Sequence, residues 1–269
     1  MNLNFEFENS LTDCFKKLGI NNRDSTYITG NLGALGRIRI EKNLKMSLFL
    51  KALRNRAGND ANIFSPSASM NLMNTKISYD IDNTPSHEMG AFAEYFRILP
   101  DSIRTNHPFW SISGQGSDAF RLKNVSKHSY GAGSPWTIFL ELEVKQITMG
   151  IHPSKAVSLI HHIETIFGVP YRYTKEFMQP IKYGEKIIEE KFYQSVMYKD
   201  CLIKKKITLN KHFFDELELQ GKLKKFIHKS GLVFWSFKMR DFYDIVIGFF
   251  KKDIYTYLEA PPLKRPYSN

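Results

Sequence analysis

The sequence predicts an α/β protein. Two observations carry that expectation. Short β-rich stretches alternate with stretches of helical spacing along most of the chain, which is the pattern of strands interleaved with helices. No internal repeat and no Pro/Gly/Ser linker divides the 269 residues, and 42% hydrophobic with 14% aromatic residues suffice for one sizeable core. A single domain over 1–269 is therefore expected, with its core at about 25–250 and a frayed tail at 260–269.

The elements follow in order. Ser10–Leu18 places Leu11, Cys14, Phe15 and Leu18 on one helical face. Ser25–Thr29 reads as a strand entering a glycine-rich turn, Thr29–Gly36. Asn43–Arg56 reads as a helix and Ala61–Ser65 as a second strand, ended by Pro66. The polar stretch Ser67–Ser86 is expected to be a surface loop. A helix follows at Glu88–Ile98, irregular structure at Ile103–Gly116 and another loop at Ser126–Pro135. Trp136–Leu142 and Gln146–Ile151 carry β signals. Ser154–Phe167 reads as a helix with Ser154 as N-cap and Gly168 as its stop. The remainder mixes a β-like piece at Leu202–Thr208 with helices at His212–Leu219 and Phe237–Phe250.

Composition narrows the function classes. No apolar run reaches membrane-spanning length. Met1–Phe7 has no basic start, apolar stretch or small-residue cleavage site, so a cytoplasmic location is expected. Cys14 and Cys201 are too few and too far apart for a disulfide framework or a cysteine-rich zinc site, and no spacing demands a metal. Thirty-eight Lys and Arg against 27 Asp and Glu leave +11. Such a field draws anions: nucleic acid, the phosphates of a nucleotide cofactor or nucleotide-linked substrate, or an acidic carrier protein. A lysine-rich solvated surface gives the same count. No helix-turn-helix, finger or RNA-recognition pattern supports nucleic acid.

Three constellations can carry chemistry. His161 and Glu164 stand three apart on the expected helix and share a face, while His162 points away. A carboxylate beside an imidazole fixes its tautomer and stabilises the imidazolium, as a general base needs; the same spacing also describes an ordinary surface pair. Arg104-Thr105-Asn106-His107-Pro108, followed by Ser111 and Gly114, can line a polar site or form a loop closed on its own backbone. The turn Thr29–Gly36 lets backbone N–H groups approach phosphates or a pantetheine arm, but is neither a dinucleotide fingerprint nor a P-loop.

Taken in order, these segments resemble the aminoglycoside 3-N-acetyltransferase family. The likeness runs through Ile28–Gly36, Asn62–Pro66, Thr84-Pro85-Ser86, Met89-Gly90, Ala93–Arg97 and Ile103–Pro108. It continues through Gly133-Ser134-Pro135-Trp136, His161–Glu164 and Gly168-Val169-Pro170-Tyr171. The resemblance implies a mixed central sheet flanked by helices and an acyl-CoA-dependent N-acyltransferase, with acetyl-CoA or another short acyl-CoA as co-substrate. It casts His161 as general base, Glu164 as its acidic partner and His107 as a further catalytic histidine. Thr29, Gly30, Asn31, Leu32, Gly33, Arg104 and Ser134 would hold coenzyme A, and Glu94, Asn106 and Tyr171 the acceptor. Four features depart from the family. The first turn reads Thr29-Gly30-Asn31 where the family usually has His-Ser-Ser, Thr105 replaces the Ser of its Arg-Ser-x-His-Pro, Ala61-Asn62 stands where it has Gly-Thr before the second strand, and no acidic residue beyond the helix matches a third catalytic acid, Glu190 and Asp200 being nearest. Because an aminoglycoside is a polycation, the +11 charge points instead to a nucleotide-linked amino sugar for surface polysaccharide. Aminoglycoside resistance is the alternative, and an inactive scaffold or nucleic-acid-binding protein the reading from another class. A homodimer and an acyl-carrier donor stay open.

Overall fold

A computed structural model describes residues 3–261 except 33, 34, 36, 37 and 204–209. The elements run α1 (Leu3–Lys17), β1 (Thr26–Gly30), α2 (Lys42–Ala57), β2 (Ile63–Pro66), β3 (Tyr79–Asp80), α3 (Ala91–Arg97), β4 (Ile103–Arg104), β5 (Ile112–Gln115), α4 (Pro135–Glu141) and β6 (Lys145–Met149). They continue as α5 (Leu159–Phe167), β7 (Arg172–Tyr183), β8 (Lys186–Met197), α6 (Lys199–Ile203), α7 (Lys211–Leu219), β9 (Lys224–Ile227), β10 (Val233–Lys238) and α8 (Met239–Lys252).

Among the described residues, seven strands form one sheet in the order β4-β5-β2-β1-β6-β10-β9. Its centre, β2-β1-β6, is parallel, and antiparallel strands extend it on both sides. A parallel strand buried on both faces sends successive side chains to opposite layers. On β1, Tyr27 packs with Trp136, Phe139 and the helices α5, α7 and α8, while Ile28 packs with Phe15, Phe49 and Phe92 beneath α1, α2 and α3. The expected α/β class with a mixed, helix-flanked sheet is what the chain forms. The segments β3, β7 and β8 make a second, three-stranded sheet with its own small core of Tyr79, Phe109, Phe177, Ile181 and Phe192.

β1 ends at Gly30, whose φ is +107°. A Cβ there would overlap the carbonyl oxygen of Met149 on β6. Positive φ and backbone closeness both demand glycine. Gly30→Ala is expected to cost about 2–4 kcal/mol through strain and overpacking, read as a lower urea midpoint.

Several sequence expectations are corrected. Trp136–Leu142 is not a strand but the body of α4. Ser134 and Pro135 stand at its N-cap and first turn, a start signal that outweighs β-propensity, and Trp136, Phe139 and Leu140 share its buried face. Ser154 falls in a 3-10 turn, and α5 begins only at Leu159. Phe237 and Lys238 finish β10, with α8 starting at Met239. Gly90, at φ +96°, separates a 3-10 turn at His87–Met89 from α3. Ile103–Gly116 contains β4 and β5, and the loop Ser67–Ser86 contains β3. Leu202 lies in α6; the rest of the expected Leu202–Thr208 strand from residue 204 falls outside the described residues, as does the tail beyond 261. The hairpin β7–β8, turned at Gly184-Glu185 with Gly184 at φ +58°, has no counterpart in the expectations.

Candidate active site

In an open α/β sheet, ligands bind beyond the carboxyl ends of the parallel strands, where neighbouring connections diverge. Here that place is a cleft of about 480 Å³ at the ends of β1, β2 and β6, lined among others by Tyr27, Thr29, Gly30, Asn31, Trp110 and Trp136. A cavity of about 1030 Å³ lies elsewhere, between α3, β4 and the tip of β7. The smaller cleft is the better candidate because of its position at the strand ends.

The cleft wall leads to α5. Ser158, on the wall, is the N-cap of α5. Leu159, Ile160 and Ile163 anchor the helix in the core, which turns His161 to the edge with its side chain 25% exposed and leaves Glu164 fully buried. His161 Nδ1 is 2.9 Å from Glu164 Oε2, so the expected pair forms. The imidazole meets the Tyr130 ring edge-on at 5.4 Å, and Tyr130 in turn stacks on Trp136 and tilts against Trp110. Burial pushes the Tyr130 hydroxyl far up, so it stays un-ionised. Behind the pair, the buried Tyr171 hydroxyl is likewise kept un-ionised by burial and by the Glu164 charge beside it. Tyr171 thus lies beside Glu164 within the core, not on the lining of the cleft. His162 points the other way: its Nδ1 accepts from Gly131 N at 3.2 Å, and burial lowers its pKa to about 4.

Thr29, Gly30 and Asn31 do line the cleft, but their polar groups are partly engaged. Thr29 Oγ1 accepts from Gln146 Nε2 at 3.0 Å, and Asn31 N donates to Met149 O at 2.7 Å. Leu32 is a core residue; Gly33 lies outside the described residues. Ser134, fully buried, donates to Gly131 O at 2.7 Å. Arg104 is a structural hub. Its five N–H groups meet five acceptors: Ser111 Oγ, the Ile81 and Thr84 carbonyls, Ser67 O and Ser69 Oγ. None remains for a cofactor phosphate.

The structure likewise places His107 as a strut. Its Nδ1 accepts from Trp110 N at 3.2 Å, its Nε2 faces Tyr193 O at 3.4 Å, and the ring packs between Phe109 and Phe192. Burial lowers its pKa to about 4. Asn106 borders the larger cavity and donates to Tyr183 Oη. Glu190 is committed to Lys127 and Tyr183. Among the described residues no group of three His, Cys, Asp or Glu is placed to hold a metal, and no helix is long and apolar enough to cross a membrane.

Glu94, expected to touch an acceptor, is held by Arg97 and by the Ser86 N–H and hydroxyl. Burial works against its charge, but these donors outweigh it and bring its pKa to about 2. An unfolded glutamate titrates near ~4.3. The folded state therefore binds fewer protons between those values, and the stabilisation is complete above about pH 4.3 and lost as the pH falls toward 2. His107 and His162, lowered to about 4, add loss of the same sign from an ordinary histidine value downward. Glu94→Gln is expected to cost up to about 3 kcal/mol at neutral pH and to flatten the lowest part of that acid limb, measured by urea unfolding across pH.

Sequence reasoning missed Arg172, Tyr130 and the two tryptophans of the cleft. Arg172 Nε lies 2.7 Å from Glu164 Oε2. Its signal was its place directly after Gly168–Tyr171, at the end of the segment carrying the family likeness.

Comparison with known proteins agrees with this fold. The family model described as aminoglycoside 3-N-acetyltransferase matches residues 35–251. Among solved structures, AAC-VIa bound to sisomicin is similar with a TM-score of 0.77 at 16% identity, over 91% of this chain and 97% of that one. AAC-IIIb in binary complex with CoASH gives 0.76 at 16% identity, over 95% and 98%. The YokD protein from Bacillus subtilis gives 0.71 at 18% identity, over 91% and 99%. No curated protein matches in sequence.

Proposed function

The chain belongs to the aminoglycoside 3-N-acetyltransferase family, an acyl-CoA-dependent N-acetyltransferase family, and on that premise we propose that it moves an acetyl group from acetyl-CoA to an amino group of an aminoglycoside-like amino sugar. The observation that carries this is the pair formed by partly open His161 and buried Glu164, one turn beyond the cleft-lining Ser158. The amine nitrogen attacks the thioester carbonyl while His161 Nε2 takes its proton. The tetrahedral centre collapses, the C–S bond breaks, and the imidazolium returns the proton to the departing thiolate. Glu164 at Nδ1 orients the ring and stabilises its charged form. The thioester and pantetheine arm would lie along Thr29–Asn31 and the aromatic wall of the cleft.

A free amino sugar stands ahead of a nucleotide-linked one. One relative is described with sisomicin bound, and a role in surface polysaccharide gains no support from the family. The test is direct: incubate the protein with acetyl-CoA and a panel of aminoglycosides, simple amino sugars and sugar-nucleotide amines, and follow thiol release and product mass. Amine-dependent thiol release with an N-acetylated aminoglycoside is expected. Release only with sugar nucleotides would reverse the acceptor, and none with any amine would remove the activity.

A further inference from the structure

The loop before α4 meets α5 at two adjacent histidines. Its Gly131 N–H donates to His162 Nδ1 at 3.2 Å, and its Tyr130 ring meets the His161 imidazole with centroids 5.4 Å apart and planes at 72°. Further bonds close the loop around Tyr130: Ser134 Oγ donates to Gly131 O at 2.7 Å, and Trp136 Nε1 to Ser129 O at 3.2 Å. Burial lowers the His162 pKa to about 4, so its ring is neutral at working pH and Nδ1 can keep the lone pair that Gly131 needs.

Tyr130 is 3% exposed and stands between the cleft wall and His161. Its ring lies 5.9 Å from Trp136, close to parallel at 26°, and 5.8 Å from Trp110, tilted by 52°. Both tryptophans line the cleft. The Tyr130 hydroxyl takes no part in this. It is buried near Ser158 but outside hydrogen-bond geometry, with no partner among the described residues.

A general base must hold its nitrogen on line with the proton it takes. Glu164 Oε2 at 2.9 Å and Arg172 Nη2 at 2.8 Å both approach one atom of the ring, Nδ1. Contacts at one atom fix a point and not a plane. The terminal torsion of a histidine has a broad minimum, so the ring could still swing about Nδ1 and carry Nε2 away. A rigid buried ring packed against the imidazole limits that swing. The rate is sensitive to it, since ~1 Å of misplacement can cost ~10²-fold.

We propose that Tyr130 is a positioning residue that fixes the plane of His161 beside the cleft, through its ring and not its hydroxyl, while His162 holds the loop that carries it. The adjacent histidines then have separate tasks on opposite sides of α5: one meets the substrate amine, and the other anchors the loop whose tyrosine steadies the first.

This role rests on His161 being the base of the reaction above, yet part of its test needs no turnover. In protein carrying ¹³C-labelled histidine and tyrosine, nuclear Overhauser contacts should join the ring protons of Tyr130 and His161. Their absence would overturn the proposal without any variant having to fold. Tyr130→Phe should keep kcat within about threefold of normal, whereas Tyr130→Leu should lower it by about 10–100-fold. In a His161→Ala background, Tyr130→Leu should change kcat by less than about threefold, because no base is left to position. A merely structural role would add its full loss there, and that result would overturn the proposal. So would a loss in Tyr130→Phe as large as in Tyr130→Leu. A wild type that acetylates no amine is a different failure: the ring contacts would persist, but the reaction, and with it the role, would be gone.

Discussion

His161→Ala is expected to lower kcat by about 10²–10⁴-fold, the usual loss when a general base is removed, while the donor still binds within a few-fold of its normal affinity. The two halves have different origins. The base acts only as the amine nitrogen sheds its proton, so its loss falls on the transition state. The cleft proposed for the donor is walled by Thr29, Gly30, Trp110 and Trp136, none of which the substitution alters. The fold should also survive. With the ring gone, Glu164 and Arg172 still face each other at 2.7 Å, their side chains 0% and 9% exposed, so no buried charge is stranded. Glu164→Ala is a poorer probe, because it strands Arg172 and costs about 3–5 kcal/mol besides its effect on chemistry. Thiol-release kinetics beside a thermal melt separate these cases. Turnover within tenfold of normal in His161→Ala would take the residue out of the chemistry.

What the sequence revealed and what it hid follow one physical division. Local periodicity decides which residues share an element face, and there the expectations held: His161 and Glu164 meet on α5, and β1, β2 and β6 fall near their predicted places. Trp136 shows local signals in competition, where β-rich composition lost to the Ser134-Pro135 helix start. The β7–β8 hairpin escaped notice because much of both its faces is exposed, so charged residues interrupt the alternation that marks a half-buried strand. Side-chain destinations were the least legible. Arg104 in a Pro-bounded turn suits a phosphate as well as it suits carbonyl oxygens. Its partners at Ser67–Thr84 lie 20 to 37 residues upstream, and no spacing rule reaches that far. Arg172 was hidden for the same reason: only the turn from α5 into β7 brings it back onto His161.

Arg104→Met is expected to produce the largest loss of stability, about 3–5 kcal/mol. The guanidinium is 6% exposed as a residue, lies 4.9 Å over the Tyr79 ring and binds five acceptors. Three are carbonyl oxygens, of Ser67, Ile81 and Thr84, which methionine cannot satisfy. The separate penalties do not add, because the loop can relax toward water, but the loop then loses its tie to β4 and β5. Arg104→Lys should recover little, since three donors on one nitrogen cannot reach acceptors spread around a planar fork. The loss should be uneven. Amide exchange should quicken across residues 67–84 while α1 and α2, packed in a separate core, keep their protection. Pro66, Met70 and Ser111 line the cleft proposed for the donor, beside this hub, so KM for the donor should rise although the substitution removes none of the groups lining that cleft. A normal urea midpoint with unchanged exchange at 67–84 would mean that the guanidinium does not pin the loop. A raised KM beside an unchanged His161–Glu164 pair would show that Arg104 acts through the shape of the cleft.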